Sequence, residues 1–298
     1  MADLDDAAAC GARGCGMIAR RRFLALAACA LAVPAGAALP PVQSHVWQGT
    51  ALGADVMLRV EGGSERAARA FFAESARALR AVEDRFSLFR GSDLMRLNAM
   101  GRLPHPSAEM LALLELAGQV HDATGGAFDP TVQPLWLARR DGGDESAGRT
   151  LTGWGDVRIA PDEIRLMRPG MALTLNGIAQ GHAADRLAGI ARTHGLGPRD
   201  WRAAVVAPDG RRLRELTLRQ RALATSAPFG TRIGPAGDRP HILSPDGAAP
   251  RWGVVSVSAP HAALADALST AFCVMDRAAI DRALATFSGA RVECLSAL

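Results

Sequence analysis

Leu175-Asn176-Gly177-Ile178-Ala179-Gln180-Gly181-His182 is the stretch from which the architecture is read. A short strand signal at residues 172–175 runs through a turn containing two glycines. Helical spacing of apolar positions then begins at Ala179 and lasts to about His194, before Gly195. Toward the N-terminus, residues 54–60 alternate like a strand, and Ser64 opens a long helical pattern reaching about Phe86. Ser107 caps a second helix through Met110, Leu111, Leu114 and Val120, closing at Gly125-Gly126. Residues 139–155, rich in Asp, Gly and Arg, predict a surface loop, and strand signals follow at 157–159 and 163–167. Toward the C-terminus, strands are predicted at 201–207, 213–218, 221–225 and 253–257. Helices are predicted at 262–276 and 276–287, with a last strand near Val292. Strands and helices mix without a fixed-period repeat, which predicts a single α+β domain.

The chain has 298 residues, of which 49% are hydrophobic and 21% charged, enough for a substantial core. All 34 basic residues are Arg; there is no Lys and no Tyr. Chemistry that needs a lysine, such as P-loop phosphate binding or a Schiff base, is therefore excluded. A net charge of +4 is too small for a nucleic-acid-binding surface. Arg20-Arg21-Arg22-Phe23-Leu24 leads an apolar run of 11 residues to Val33, and Ala35-Gly36-Ala37 supplies a cleavage site. Residues 1–37 are thus read as a signal segment, with Met17 an alternative start. The run is well short of the roughly 20 residues that cross a bilayer as a helix. The Arg-Arg-x-Phe-Leu order is that of a twin-arginine signal, with an ordinary secretory signal as the alternative. A lipoprotein reading through Leu26-Ala27-Ala28-Cys29 is weaker, because few apolar residues precede the cysteine. The expected product is a soluble periplasmic domain over residues 38–298. Cys10, Cys15 and Cys29 fall in the signal, leaving Cys273 and Cys294, too few for a metal or disulfide framework.

Four constellations could carry chemistry. Gly125-Gly126-Ala127-Phe128-Asp129-Pro130 allows close backbone approach to a ligand, although a helix C-cap and turn explains the same residues. The turn at Gly177 opens a helix whose N-terminal N–H groups suit an anion, without the GxGxxG spacing of a dinucleotide site. His182 reads as a packing or capping residue there. Asp266 and Thr270 stand four apart on one helix face, among Leu264, Ala267, Leu268, Ala271 and Phe272. A carboxylate beside a hydroxyl oxygen suits a hard cation such as Mg²⁺. The fourth is His241 in His241-Ile242-Leu243-Ser244-Pro245-Asp246-Gly247, a candidate general base or a structural histidine.

Taken together and in this order, these pieces resemble the FAD:protein FMN transferase (ApbE) family. Gln48-Gly49-Thr50, the stretch from Glu83 to Arg90, Ser92-Asp93 and Leu97-Asn98 belong to the same resemblance, which spans nearly all of the mature chain. The Leu-Asn-Gly-Ile-Ala-Gln-Gly version looks most like the NosX-type branch associated with nitrous-oxide respiration. The resemblance implies an ApbE-like domain of mixed, mainly antiparallel sheet with packed helices. It further implies a Mg²⁺-dependent transferase that splits the FAD pyrophosphate, releases AMP and leaves FMN on a Thr or Ser hydroxyl of another protein. The implied metal ligands are Asp266, Thr270 and the carbonyl of Gly177; Asp266 and His241 are the implied catalytic pair, with His241 the base. Phe89, Ala127, Phe128, Asp129, Thr174 and Gln180 fall on flavin-contacting positions. Thr174 stands where many members carry Asp, Gln180 where many carry Lys or Glu, Ser244 where Asp precedes Pro, and Gln48 where Met precedes Gly-Thr. The implied partners are FAD and an acceptor flavoprotein, a membrane-bound electron-transfer subunit. The alternatives are an FAD pyrophosphatase using the same metal, and a non-catalytic periplasmic flavin-binding protein.

Overall fold

The computed structural model describes residues 23–30, 43–196 and 201–298. Arg20 to Arg22, the small residues at 35–37 and the boundary between 37 and 38 lie outside the described residues. Strand β1 (Phe23–Ala30) runs parallel to β3 (Ala54–Gly62), and β2 (Ser44–Ala51) pairs antiparallel on the other side of β3. Helix α1 (Glu65–Phe86) follows at once, because Ser64 Oγ accepts the N–H of Ala67 at 3.2 Å. Its buried residues Ala68, Phe71, Ser75, Ala78, Leu79, Val82 and Phe86 form one stripe at helical spacing.

Helix α2 (Asp93–Met100), strand β4 (Arg102–Pro104) and helix α3 (Ala108–Ala123) come next, with Ser107 Oγ accepting from Met110 as α3's cap. The predicted loop at 139–155 is corrected by the structure, which forms α4 (Gln133–Asp141) and α5 (Glu145–Thr150) there. Asp144 caps α5 by accepting the N–H groups of Ser146 and Ala147 at 2.8 and 3.2 Å. Gly148 lets α5 lie on α4, since a Cβ there would come within 2.8 Å of the Leu135 Cα. A glycine that reads as a loop former is here a contact point between two backbones.

Strands β5 (Val157–Ile159) and β6 (Glu163–Leu166) form an antiparallel sheet with β4. The predicted strand at 172–175 keeps an alternating burial but joins no ladder. The side chain of Asn98 takes both backbone groups of Leu173 instead, donating to its carbonyl at 2.9 Å and accepting its N–H at 2.7 Å. Helix α6 (Ala179–Thr193) closes at Gly195, whose φ is +70°. Strands β7 (Trp201–Val206) and β8 (Arg212–Leu218) make a hairpin. Strand β9 (Ala222–Ser226), the short pair β10 (Arg232–Ile233) and β11 (Arg239–Pro240), and β12 (Val254–Ala259) follow. Helix α7 (Ala262–Phe272) ends four residues before the predicted 276, and α8 (Arg277–Thr286), capped by Asp276, leads to β13 (Arg291–Ser296).

β12 lies between β9 and β13, and every strand pair except β1 with β3 is antiparallel, so the class is α+β with a mainly antiparallel sheet content. One core joins β3, α1, α2, α3, α6, β12, α7 and α8. α7 is its axis. Leu268 and Phe272 are fully buried there, each burial worth roughly 1.5–3 kcal/mol. Cys273 is buried and its thiol is pushed far up by desolvation, the behaviour of a small hydrophobe. No helix among the described residues is long and apolar enough to cross a membrane.

Candidate active site

The site is built where α6 and α7 begin side by side. Neither helix is capped by its own N-cap side chain, Ile178 for α6 or His261 for α7. Each is capped by the other. Asp185 of α6 accepts the N–H groups of Ala262 and Ala263 at 2.7 and 2.9 Å, and Asp266 of α7 accepts the N–H of Gly181 at 3.0 Å. Contact is close because Gly181 has no side chain; a Cβ there would meet the Ala262 carbonyl oxygen at 2.2 Å. On α7 the residues from 263 to 272 are buried except Asp266 and Thr270, which are half-buried, so this pair is the polar notch in an apolar helix.

Gly177 faces that notch. A Cβ on it would lie 3.1 Å from Thr270 Cγ2, 3.2 Å from Thr270 Oγ1 and 3.3 Å from Phe128 Cε2. Three segments remote in sequence therefore meet here: the turn before α6, the last turn of α7 and the loop after α3. Among the described residues no three His, Cys, Asp or Glu side chains group as metal ligands. The Asp266 carboxylate and the Thr270 hydroxyl on α7, with the Gly177 backbone beside Thr270, are of the oxygen-donor types that a hard divalent cation takes.

The loop that carries Phe128 is held from within. Gly125 and Gly126 have φ of +60° and +85°, conformations that suit glycine. His121 Nδ1 donates to the Phe128 carbonyl at 2.9 Å, and Phe128 N–H donates to Thr124 Oγ1 at 3.1 Å. Asp129 Oδ1 accepts from Thr131 N–H at 2.8 Å and Thr131 Oγ1 at 2.6 Å, while Thr131 Oγ1 accepts the N–H of Gly153. Burial pushes the Asp129 carboxyl up, with the Thr131 hydrogen bonds and the nearby His121 pulling the other way. The carboxylate of Asp129 is thus engaged in its own loop. Thr174 N–H donates to the Pro130 carbonyl at 2.8 Å, which ties this loop to the turn at Gly177. Ala127 is half-buried beside Phe128, and Gln180 is half-buried in the first turn of α6.

His241 is joined to the site through the chain after β9. Its Nδ1 lies 2.8 Å from the Pro228 carbonyl oxygen and 3.0 Å from that of Thr231. Carbonyls only accept, so Nδ1 carries the proton, which makes Nε2 the nitrogen that is basic in this tautomer. From the other side, Trp136 Nε1 donates to the His241 carbonyl at 3.0 Å. Ser226, two residues before Pro228, touches Thr270. The Phe89 ring packs against the β2–β3 turn, where a Cβ on Gly53 would meet it at 2.5 Å. His182 packs as expected, with Nε2 2.7 Å from Glu109 and its ring edge-on to Phe86. Two surface grooves, one on the β7–β8 hairpin and one between residues 98–102 and 165–171, are lined by none of these residues.

Reading the sequence missed Asp185, Ser226, Ser269 and the bonding role of Gly181. A carboxylate within the first two turns of each of two consecutive capless helices was the available signal for the reciprocal caps; nothing local marks the two serines.

An α+β domain in which two helices cap each other's starts and the Gly177 turn meets the Asp266–Thr270 face of α7 defines the class. The ApbE family model matches residues 52–295, and the chain belongs to that family. Among solved structures, the ApbE protein of Thermotoga maritima is similar with a TM-score of 0.73 at 24% identity, covering 86% of this chain and 97% of that one. The flavinyl transferase ApbE of Pseudomonas stutzeri, in its apo form, gives a TM-score of 0.68 at 24% identity, over 84% and 89% of the two chains. The flavin transferase ApbE of Vibrio cholerae gives 0.66 at 22% identity, over 83% and 90%. Among curated proteins none matches the sequence.

Proposed function

We propose that this chain is a Mg²⁺-dependent FAD:protein FMN transferase acting in the periplasm. The observation that carries the reading is the meeting of Gly177, Thr270 and Phe128, with Asp266 one turn earlier on the same helix. Asp266, Thr270 and the Gly177 carbonyl would hold the cation. When bound, Mg²⁺ supplies positive charge against the negative charge that builds on the pyrophosphate as it breaks. His241 takes the proton of the acceptor Thr or Ser hydroxyl at Nε2. The hydroxyl oxygen then bonds to the FMN phosphorus, the bond from that phosphorus to the bridging oxygen breaks, and AMP leaves with that oxygen. Pro228 and Thr231 hold the ring in the tautomer this step needs. Phe128 and Ala127 offer an apolar edge to the flavin, and Gln180 and Thr174 offer polar groups near the turn.

The reading extends to a membrane-bound flavoprotein acceptor and to the NosX-type branch, both on the resemblance of the motifs. The test is incubation of the purified protein with FAD, Mg²⁺ and a periplasmic acceptor domain, followed by denaturing gel fluorescence and AMP assay. Flavin fixed to the acceptor together with AMP release supports the transferase. AMP and free FMN with no labelled acceptor replace it with a pyrophosphatase. Tight flavin binding with no AMP replaces it with a binding protein.

A further inference from the structure

Ser226 and Ser269 are buried hydroxyls behind the notch, unused by the chemistry above. Ser269 Oγ donates to the Asp266 carbonyl at 3.0 Å, which uses its single proton. Ser226 Oγ lies 2.8 Å from Ser269 Oγ, so in that pair Ser226 must be the donor. Its own proton is then used, so toward Thr270 Oγ1, 3.3 Å away, Ser226 can only accept. Proton counting therefore orients the whole row: Thr270 donates to Ser226, Ser226 to Ser269, and Ser269 to the backbone of Asp266. In this direction each of the three hydroxyl protons meets an acceptor of the row, whereas the reverse leaves the Thr270 proton without one in it. Ser226 is held rigidly for this, being the last residue of β9 and paired with Val255 in β12.

We infer that Ser226 and Ser269 are positioning residues that draw the Thr270 proton away from the notch, so that the Thr270 oxygen faces Gly177 and Asp266 as an acceptor for a divalent cation. The inference rests on the cation reading given above. A hydroxyl that pointed its hydrogen into the notch would repel the cation; the serine row removes that rotamer. Such outer hydrogen bonds typically change metal affinity by about 10–100-fold.

The experiment titrates the full chain, without flavin, with Mn²⁺ as a probe of the Mg²⁺ site, reading free Mn²⁺ by electron paramagnetic resonance and competing with Mg²⁺. Wild type, Ser226→Ala, Ser226→Thr, Ser269→Ala and Thr270→Ala are compared, with metal-free unfolding midpoints alongside. Ser226→Ala should weaken Mn²⁺ about 10-fold or more. Ser226→Thr should recover most of the loss, since it restores the hydroxyl. Ser269→Ala should weaken binding too, because the freed Ser226 proton can turn onto Thr270. Mn²⁺ affinity equal to wild type in both alanine variants overturns the inference while leaving the metal site standing. Weakening in Ser226→Ala that Ser226→Thr fails to relieve also overturns it, assigning the effect to packing. If wild type and Thr270→Ala both fail to bind Mn²⁺, the cation reading itself is wrong and the inference falls with it.

Discussion

Asp266 holds two positions at once: it caps α6 through Gly181 and faces the notch beside Thr270. The two roles separate by substitution. Asp266→Ala removes both, so the unfolding midpoint should fall by an amount equivalent to about 1 kcal/mol, the usual loss of a cap. Mg²⁺-dependent AMP release should fall by orders of magnitude while the fold persists. Asp266→Asn keeps an oxygen for Gly181 but no charge, so it should melt near wild type and remain inactive. Near-normal Mg²⁺-dependent turnover in Asp266→Asn would remove this residue from the metal site. His241 is tested in the same way: His241→Ala should retain FAD and Mg²⁺ binding yet lose acceptor labelling by on the order of 10² or more. His241→Asn, which keeps a donor for the Pro228 and Thr231 carbonyls but has no basic nitrogen, should be just as slow. Labelling at the wild-type rate in either variant places the base elsewhere.

Helices α6 and α7 act as one unit because each supplies the other's missing cap and because Gly181 lets their backbones touch. Gly181→Ala therefore sets two effects against each other. Alanine favours a helix interior by about 1 kcal/mol over glycine. Against that, the new Cβ meets the Ala262 carbonyl oxygen at 2.2 Å, and this neighbour is backbone, so the helices must separate. Overpacking of this kind costs about 1–3 kcal/mol, and here the obstruction cannot rotate away. Urea unfolding should show Gly181→Ala less stable than wild type, with weaker Mn²⁺ binding as Asp266 loses its bond to residue 181. A more stable variant would mean that the two helix starts are not locked together.

Across the whole molecule, Glu109 of α3 binds three other charged or ionisable groups: His182 at 2.7 Å and Arg186 at 2.5 Å on α6, and Arg85 at 3.2 Å on α1. Burial pushes its carboxyl up, but the hydrogen bonds and charges of His182 and Arg186 outweigh burial and hold it below the ordinary Glu value. A lowered acid pKa stabilises the fold above the unfolded pKa, and that contribution disappears as pH falls through the folded one. Wild type should therefore lose stability on acidification below the ordinary Glu range. Glu109→Gln should start lower at neutral pH and show a shallower acid decline. Thermal melts from pH 7 to pH 3 check this, and parallel declines in the two proteins would refute it. For export, mass spectrometry of the protein from the periplasm should find a mature N-terminus near Ala38. Arg20→Lys with Arg21→Lys should block export. An acylated Cys29 at the N-terminus would establish a lipoprotein instead.

The elements that depend on neighbours in the chain were legible from the residues alone. Ser64 and Ser107 begin helices, Gly195 ends one, and strand and helix periodicities separate cleanly, because caps and periodicity act within a few residues. The order of the chemical motifs was legible for the same reason. Tertiary structure decided what depends on residues far apart. Within residues 139–155, whose composition is that of a loop, the end of α4 and all of α5 form instead, with Gly148 resting on Leu135. Residues 172–175 stayed outside every ladder because Asn98, 75 positions from Leu173, takes its hydrogen bonds. Asp185 looks like an ordinary helix-surface acid, and Asp266 shows no capping role, until the two helices are laid together. The donor direction along Ser269, Ser226 and Thr270 exists only once β9 is packed on α7, since a hydroxyl's single proton is assigned by the groups around it and not by its place in the sequence.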